Sequence, residues 1–302
     1  MAVNGSTMNE ERKWKWLSYG PPKGSGKSTF AMTAPGKKLV LQYDLGASTF
    51  PPGTKPEDFW IQTYPDHDSL GIKSTSDKWN RTKVTYAAVI TDIDNIVQAF
   101  NKGADEIVLH DKSIVPIPDT LILDGLVRLD TIIVDGFCAI NNIMDPGDAL
   151  DSRGKVGGGT QKFWGRRLSV FNKLFSLAIS LPCHVAAITW EDVKTTMNER
   201  GQLEVLGREP DVGGKLNVWS PGLFDGCFYH CNIGGKFMVR TAPTSEIARV
   251  GLRNTYGMDA LIDVTIDAKT VGNKDYKQPF DRVFQQAAAK IVQETAMQKL
   301  SK

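Results

Sequence analysis

The stretch GPPKGSGKST, residues 20–29, carries the residue types that hold a phosphate chain. A phosphate-binding loop places a Gly, four residues, then Gly-Lys-Ser/Thr. Counting back from Gly26 and Lys27 puts Pro21 at the first Gly position, one residue after Gly20. The spacing reads as a loop with one extra residue, in which Lys23 bulges outward and the segment from Gly24 to Thr29 is kept. Gly24 and Gly26 then let backbone N–H groups turn towards phosphate oxygens, with Gly20 and Ser25 completing the cradle. Lys27 neutralises the β- and γ-phosphates, Ser28 ligates Mg²⁺, and Thr29 adds a donor at a helix N-terminus. The alternative is a solvated Gly-rich turn whose Lys faces water.

A nucleotide-bound Mg²⁺ needs an acid at a neighbouring strand end. The run TIIVD, residues 131–135, reads as a buried strand ending in Asp135, which with Ser28 makes the expected metal pair. Hydrolysis also needs a group that orients water. Gly136-Phe137 follow Asp135, so that group comes from elsewhere: Asp44 at the end of a second strand, or Glu191 or Asp192 after a strand ending in Thr189. Thr189 itself is placed to sense the γ-phosphate.

The elements that position these residues follow from pattern. Residues 14–19 form a short strand, 28–32 begin a helix, and 39–44 form a second strand. A further strand is expected at 59–63 and an amphipathic helix at 92–101, where Ile93, Ile96, Val97 and Phe100 share a face. The runs 107–109 and 120–123 are expected to pair with each other. Residues 131–135 and 185–189 are continuous apolar runs of the kind found in parallel sheets covered on both faces. A helix is expected at 162–180, a hairpin at 223–242 turning at Gly234-Gly235, and a final helix at 280–300. The alternation of strands and helices predicts an α/β, mostly parallel sheet flanked by helices. The expected division is a tail at 1–12, a core at 13–255 with an insertion at about 45–130, and a C-terminal extension at 256–302.

The chain of 302 residues is 41% hydrophobic and 23% charged with a net charge of +2, which suits a globular protein and singles out no partner. No apolar run is long enough to cross a membrane as a helix, and the polar first residues lack a secretory core, so a cytoplasmic protein is expected. The four Cys, at 138, 183, 227 and 231, form no CxxC pair. Cys227, His230 and Cys231 lack the second ligand pair that zinc requires.

The set YGPPKGSGKST, LVLQYD, TIIVDG and HVAAITWED resembles the RecA-like phage ATPases, also known as phage AAA-type ATP-binding proteins, over residues 14–255. The resemblance implies a P-loop NTPase core that binds ATP and Mg²⁺, hydrolyses ATP, and acts on single-stranded DNA in recombination or annealing. It also implies self-assembly as a ring or filament with ATP between subunits, where Arg249 or Arg253 of a neighbour reaches the γ-phosphate. DNA contacts in that class come from loops here spanning about 144–162 and 194–217, which carry Arg153, Lys155, Lys162, Arg208 and Lys215. Both loops also carry acids and lack stacking aromatics. The sequence departs from the family pattern in the extra loop residue, in Asp44-Leu45-Gly46 where a Glu belongs two positions after the Asp, and in the long stretch 45–130. Two other functions compete: a nucleotide-gated assembly protein with little turnover, and a packaging or helicase-type motor, which lacks its acid at Gly136.

Overall fold

The computed structural model describes residues 12–300 except 45–49, 66–69, 145, 149–153, 156–159, 213–221, 244–252 and 255–256. The first strand, β1 (Lys15–Tyr19), runs into the Gly-rich loop and a short helix α1 (Lys27–Met32). Next come β2 (Lys38–Gln42), β3 (Phe59–Thr63) and a 28-residue helix α2 (Thr75–Lys102). A small hairpin of β4 (Glu106–Val108) and β5 (Ile114–Pro116) precedes β6 (Thr120–Asp124) and helix α3 (Leu126–Ile140). Helix α4 (Thr160–Ser180) leads to β7 (His184–Ile188). A two-stranded arm of β8 (Trp190–Met197) and β9 (Leu203–Asp211) follows. The chain closes with β10 (Gly226–Ile233), β11 (Lys236–Arg240), β12 (Arg253–Asn254), β13 (Leu261–Asp263) and helix α5 (Pro279–Leu300).

Nine of these strands make one sheet in the order β3-β2-β6-β7-β1-β10-β11-β13, with β12 on β10. The pairs from β3 through β10 are parallel, and β11, β12 and β13 join antiparallel. The fold is thus α/β with a mostly parallel central sheet flanked by helices, as the alternation of elements predicts. Strand residues alternate between two cores, as the period of two requires. Leu17, Tyr19, Leu41, Leu123 and Ala187 face α2, α3 and α4. Trp16, Val40, Ile122, Ala186 and Phe228 face α1 and α5, where the Phe280 and Phe284 rings pack at a tilt against Trp16.

Two expectations are corrected here. The run 107–109 does not pair with 120–123: β4 pairs with β5, and β6 sits inside the sheet between β2 and β7. More consequentially, residues 131–135 are not a strand. They form the middle of α3, whose Leu126, Leu129, Ile132, Ile133 and Ala139 are buried at helical spacing. A short continuous apolar run is compatible with either state, and only its longer context decides.

Candidate functional site

Sheet order decides where a ligand fits. After β1 the chain crosses to β2, passing over the positions of β7 and β6, whereas after β7 it crosses to the other side of β1 to form β10. Open α/β sheets bind ligands at such a reversal, outside the carboxyl ends of the strands. A cavity of about 1010 Å³ lies there. It is lined by Lys23 to Phe30 after β1, Gln42 and Asp44 after β2, Asp124 and Gly125 after β6, and Ile188 to Trp190 after β7.

The Gly-rich loop folds around its own lysine. Lys27 is buried, and its Nζ donates to the Gly20 carbonyl at 3.4 Å, to the Pro21 carbonyl, and to Ser25 Oγ at 2.9 Å. Pro22, Lys23 and Gly24 are exposed, so the additional residue is taken up on the outer side of the loop. Gly26 ends the loop with φ 80, where the Phe237 ring would lie 3.0 Å from an added Cβ. Burial pushes the Lys27 ammonium down to about 8, against the pull of Asp124, Glu191 and Asp44. A buried cation held only by neutral oxygens gains from an anion that enters the loop.

The acid opposite it is Asp124, at the end of β6, and not Asp135. Asp135 lies nine residues into α3, about 14 Å along a helix that leads away from the cavity, since each residue rises about 1.5 Å. It does not line the cavity. Asp124 does, and it accepts a hydrogen bond from the Ser28 side chain. Burial pushes its carboxyl up to about 6, the Ser28 bond and Lys27 oppose this, and the charge of Asp44 adds to it. Asp44 stands against Gly125, where an added Cβ would meet its Cβ at 2.8 Å. Two carboxylates, one hydroxyl and one lysine therefore converge. Mg²⁺ characteristically takes one or two carboxylates and fills its remaining positions with water and phosphate oxygens. The donor set fits that ion, with Ser28 and Asp124 as its holders and Asp44 alongside.

Sequence reasoning missed Asp124 although its signal was present. The chain contains two apolar runs ending in Asp-Gly, TLILDG and TIIVDG, eleven residues apart. The first is followed at once by helical periodicity, and its Gly125 caps α3 with φ 94. The second is part of that periodicity. Gly136 permits a close approach of helices, since a Cβ there would lie 2.5 Å from the Tyr86 ring.

The other expected residues are scattered around this centre. Thr189 lines the cavity, and its hydroxyl donates to the Asp211 carbonyl. Glu191 is not in the cavity wall; its carboxylate pairs with Arg208 at 2.6 Å and bonds Tyr229. Its N–H donates to the Gly20 carbonyl at 3.0 Å. Arg208 is thus ion-paired at the root of the arm. Lys155 is exposed, Lys162 is in α4 and Arg253 is in β12. Arg153, Lys215 and Arg249 lie outside the described residues. Among the described residues no helix is long and apolar enough to cross a membrane.

Comparison with protein-family models and with curated proteins returned no match, which leaves the geometry of the site as the ground for its function.

Proposed function

We propose that the protein is a P-loop NTPase of RecA-like type that binds Mg²⁺–ATP in the cavity at the ends of β1, β6 and β7. The observation that carries this is the meeting of Lys27 and Ser28, from the loop after β1, with Asp124 at the end of β6. Lys27 leaves its carbonyl contacts to receive the β- and γ-phosphates. Ser28 and Asp124 would hold Mg²⁺, which would supply charge stabilisation at the phosphate oxygens. Asp44 orients the attacking water. Phosphoryl transfer asks the protein mainly for positioning and electrostatic stabilisation, and these groups supply both.

The resemblance supplies the rest of the proposal: action on single-stranded DNA in recombination or annealing, by a ring or filament of subunits. Lys27→Ala should lower ATP turnover by roughly a hundredfold or more, the size of effect expected from one preorganised cationic group. Single-stranded DNA should raise turnover of the unaltered protein. Turnover is measured with and without DNA for both proteins. Turnover that survives Lys27→Ala removes the site assignment, and indifference to DNA removes the recombinase role.

One observation favours a second function. Glu191 is occupied by Arg208 and Tyr229, and Gly125 follows Asp124 where many motors carry a further acid. A nucleotide-gated assembly protein would bind ATP tightly and scarcely hydrolyse it. Tight binding without turnover in the same assay selects that function.

A further inference from the structure

The cavity has a polar side and an apolar side, and the sheet order sets them apart. Asp124, at the end of β6, lies to one side of β1, whereas β11 and β13 lie to the other. From that second side Phe237 of β11 lines the cavity, with Val264 and Ile266, which follow β13. The Phe237 ring adjoins the end of the Gly-rich loop, 3.0 Å from where a Cβ on Gly26 would stand. It therefore shares one cavity with Lys27 and Ser28. Phe50 and Pro52 add further apolar surface, and the Phe50 ring is 45% exposed. The segment that carries them reaches the C-terminal part of the chain at Gly53, where an added Cβ would lie 2.6 Å from Val271.

This wall is fixed from both sides. The Val264 N–H donates to the Phe237 carbonyl at 2.9 Å, and the Phe237 N–H donates to Thr265 Oγ1 at 2.9 Å. From α5, Arg282 donates through Nη1 to the Asp263 carbonyl at 3.2 Å and to the Thr265 carbonyl at 3.0 Å. Small-molecule sites combine a few placed polar groups with apolar walls that cover the rest of the ligand. A triphosphate would occupy the polar side alone and would leave a phenyl ring and two aliphatic side chains uncovered. A flat nucleobase covers them, because every base has a face that stacks on an aromatic ring. Val264 and Ile266 lie beyond residue 255, where the family resemblance ends, so this wall is a contribution of the C-terminal extension.

We propose that the base of the bound triphosphate stacks on Phe237, over Val264 and Ile266, and that it is held by its face and not by its edge. The inference rests on the nucleotide function proposed for the cavity and adds which bases that cavity accepts. Discrimination between adenine and guanine requires polar groups that pair with the base edge. A site built that way rejects the wrong partner strongly, whereas an apolar pocket rejects a molecule of similar shape only weakly. The side chains of Phe237, Val264 and Ile266 offer no polar atom. The site thus takes adenine and guanine nucleoside triphosphates alike.

The test is calorimetric binding of the Mg²⁺ complexes of ATP, GTP and inorganic tripolyphosphate to the full chain. In the unaltered protein ATP and GTP should bind within about tenfold of each other. Phe237→Leu keeps the apolar character and removes the ring. It should weaken ATP and GTP by roughly fivefold or more, the effect of losing a stacked base, and leave tripolyphosphate unchanged. Phe237→Tyr keeps a ring and should bind all three like the unaltered protein. Ile266→Ser, at a half-buried position, serves if Phe237→Leu fails to fold, and should act in the same direction. Variants that bind ATP and GTP like the unaltered protein overturn the proposal. A loss of tripolyphosphate equal to the loss of ATP would mean that the ring only shapes the loop, and also overturns it. A larger preference for ATP or for GTP shows that the base edge is read and overturns holding by the face. Lys27→Ala separates this inference from the function beneath it. If Lys27→Ala abolishes binding of ATP and tripolyphosphate while Phe237→Leu changes neither, the nucleotide site stands and this inference falls. If Lys27→Ala spares ATP while Phe237→Leu weakens it, the base wall stands and the phosphate assignment falls. A protein that binds none of the three overturns both.

Discussion

Asp124 is held in a conflict that its proposed function would explain. A carboxylate that is buried beside a second carboxylate is costly to ionise, and its pKa is pushed up to about 6 while an unfolded Asp sits near 3.8. Because the folded value lies above the unfolded one, a penalty on the native state builds as pH rises from about 3.8 and is complete above about 6, at most about 3 kcal/mol for a rise of that size. Asp124→Asn removes the charge and keeps an acceptor for Ser28. It should therefore raise the melting temperature at pH 8, leave it nearly unchanged at pH 4, and abolish Mg²⁺-dependent nucleotide binding. A variant no more stable at pH 8 shows that the carboxylate is not strained by burial. Lys27 yields a second test at this scale. Burial pushes its pKa down to about 8, and a bound triphosphate would draw it back up. ATP affinity should be level below pH 8 and fall above it by up to about tenfold per pH unit, as linkage to one proton requires. Isothermal titration between pH 7 and 9.5 measures the slope, and a level profile shows that Lys27 does not meet the phosphates. At this scale the loop was legible in the sequence because its residues are contiguous. The acid that faces it was harder to read, since Asp124 and Asp135 both end apolar runs followed by Gly, and only the helical periodicity that starts at Leu126 separates them.

The difference between those two acids is made by elements. TIIVD has the composition of a buried strand, but it continues a helical pattern that begins at Leu126, and the helix wins because its whole apolar face packs on α2 and the sheet. The two glycines that follow the acids record the distinction. Gly125 has φ 94 and touches Asp44, so Gly125→Ala strains the backbone and displaces Asp44 from the cavity. Gly136 is helical, and Gly136→Ala would set a methyl 2.5 Å from the Tyr86 ring. Helix propensity favours Ala there by about 1 kcal/mol, but forcing α2 and α3 apart costs about 1–3 kcal/mol, so the net effect is a loss. The expected outcomes separate: Gly136→Ala lowers the melting temperature and spares nucleotide affinity, whereas Gly125→Ala lowers both. Equal effects on affinity would mean that α3 packing, and not the turn at Asp124-Gly125, shapes the cavity. Most single elements could be read from the sequence, among them β1, β2, β3, β7, the β10–β11 hairpin, α4 and α5. Each has a period or a turn signal of its own.

What no local pattern carries is the order of strands, and with it the position of β6 between β2 and β7. That order also buries two histidines at opposite ends of the sheet. His184 begins β7, accepts the Trp14 N–H through Nδ1 at 3.0 Å, and is held down to about 4 by burial and by Lys13 and Lys15. His230 lies in β10 beneath the Gly-rich loop, meets Ser18 through Nε2 at 2.9 Å, and is held down to about 3 by burial and by Lys27. Among the described residues its Nδ1 has no partner. Both folded values lie below the 6.5 of a free imidazole, so the unfolded chain takes up these protons first. Stability is fully present above pH 6.5, declines as pH falls from 6.5 to about 4 for His184 and to about 3 for His230, and levels off below that. Asp124 opposes this between about pH 6 and 3.8, where its folded form gains a proton first, but it is one group against two. The melting temperature should therefore fall as pH drops from 6.5 to 4. His230→Gln offers Ser18 an amide in place of the ring and cannot titrate. It should be less stable than the unaltered protein at pH 7, because it packs less well beside Phe30, and should show a shallower acid decline. Thermal melts of both proteins across that range decide the matter. Parallel declines would place the acid sensitivity elsewhere in the molecule, and a steeper decline in the variant would show that His230 is charged in the native sheet.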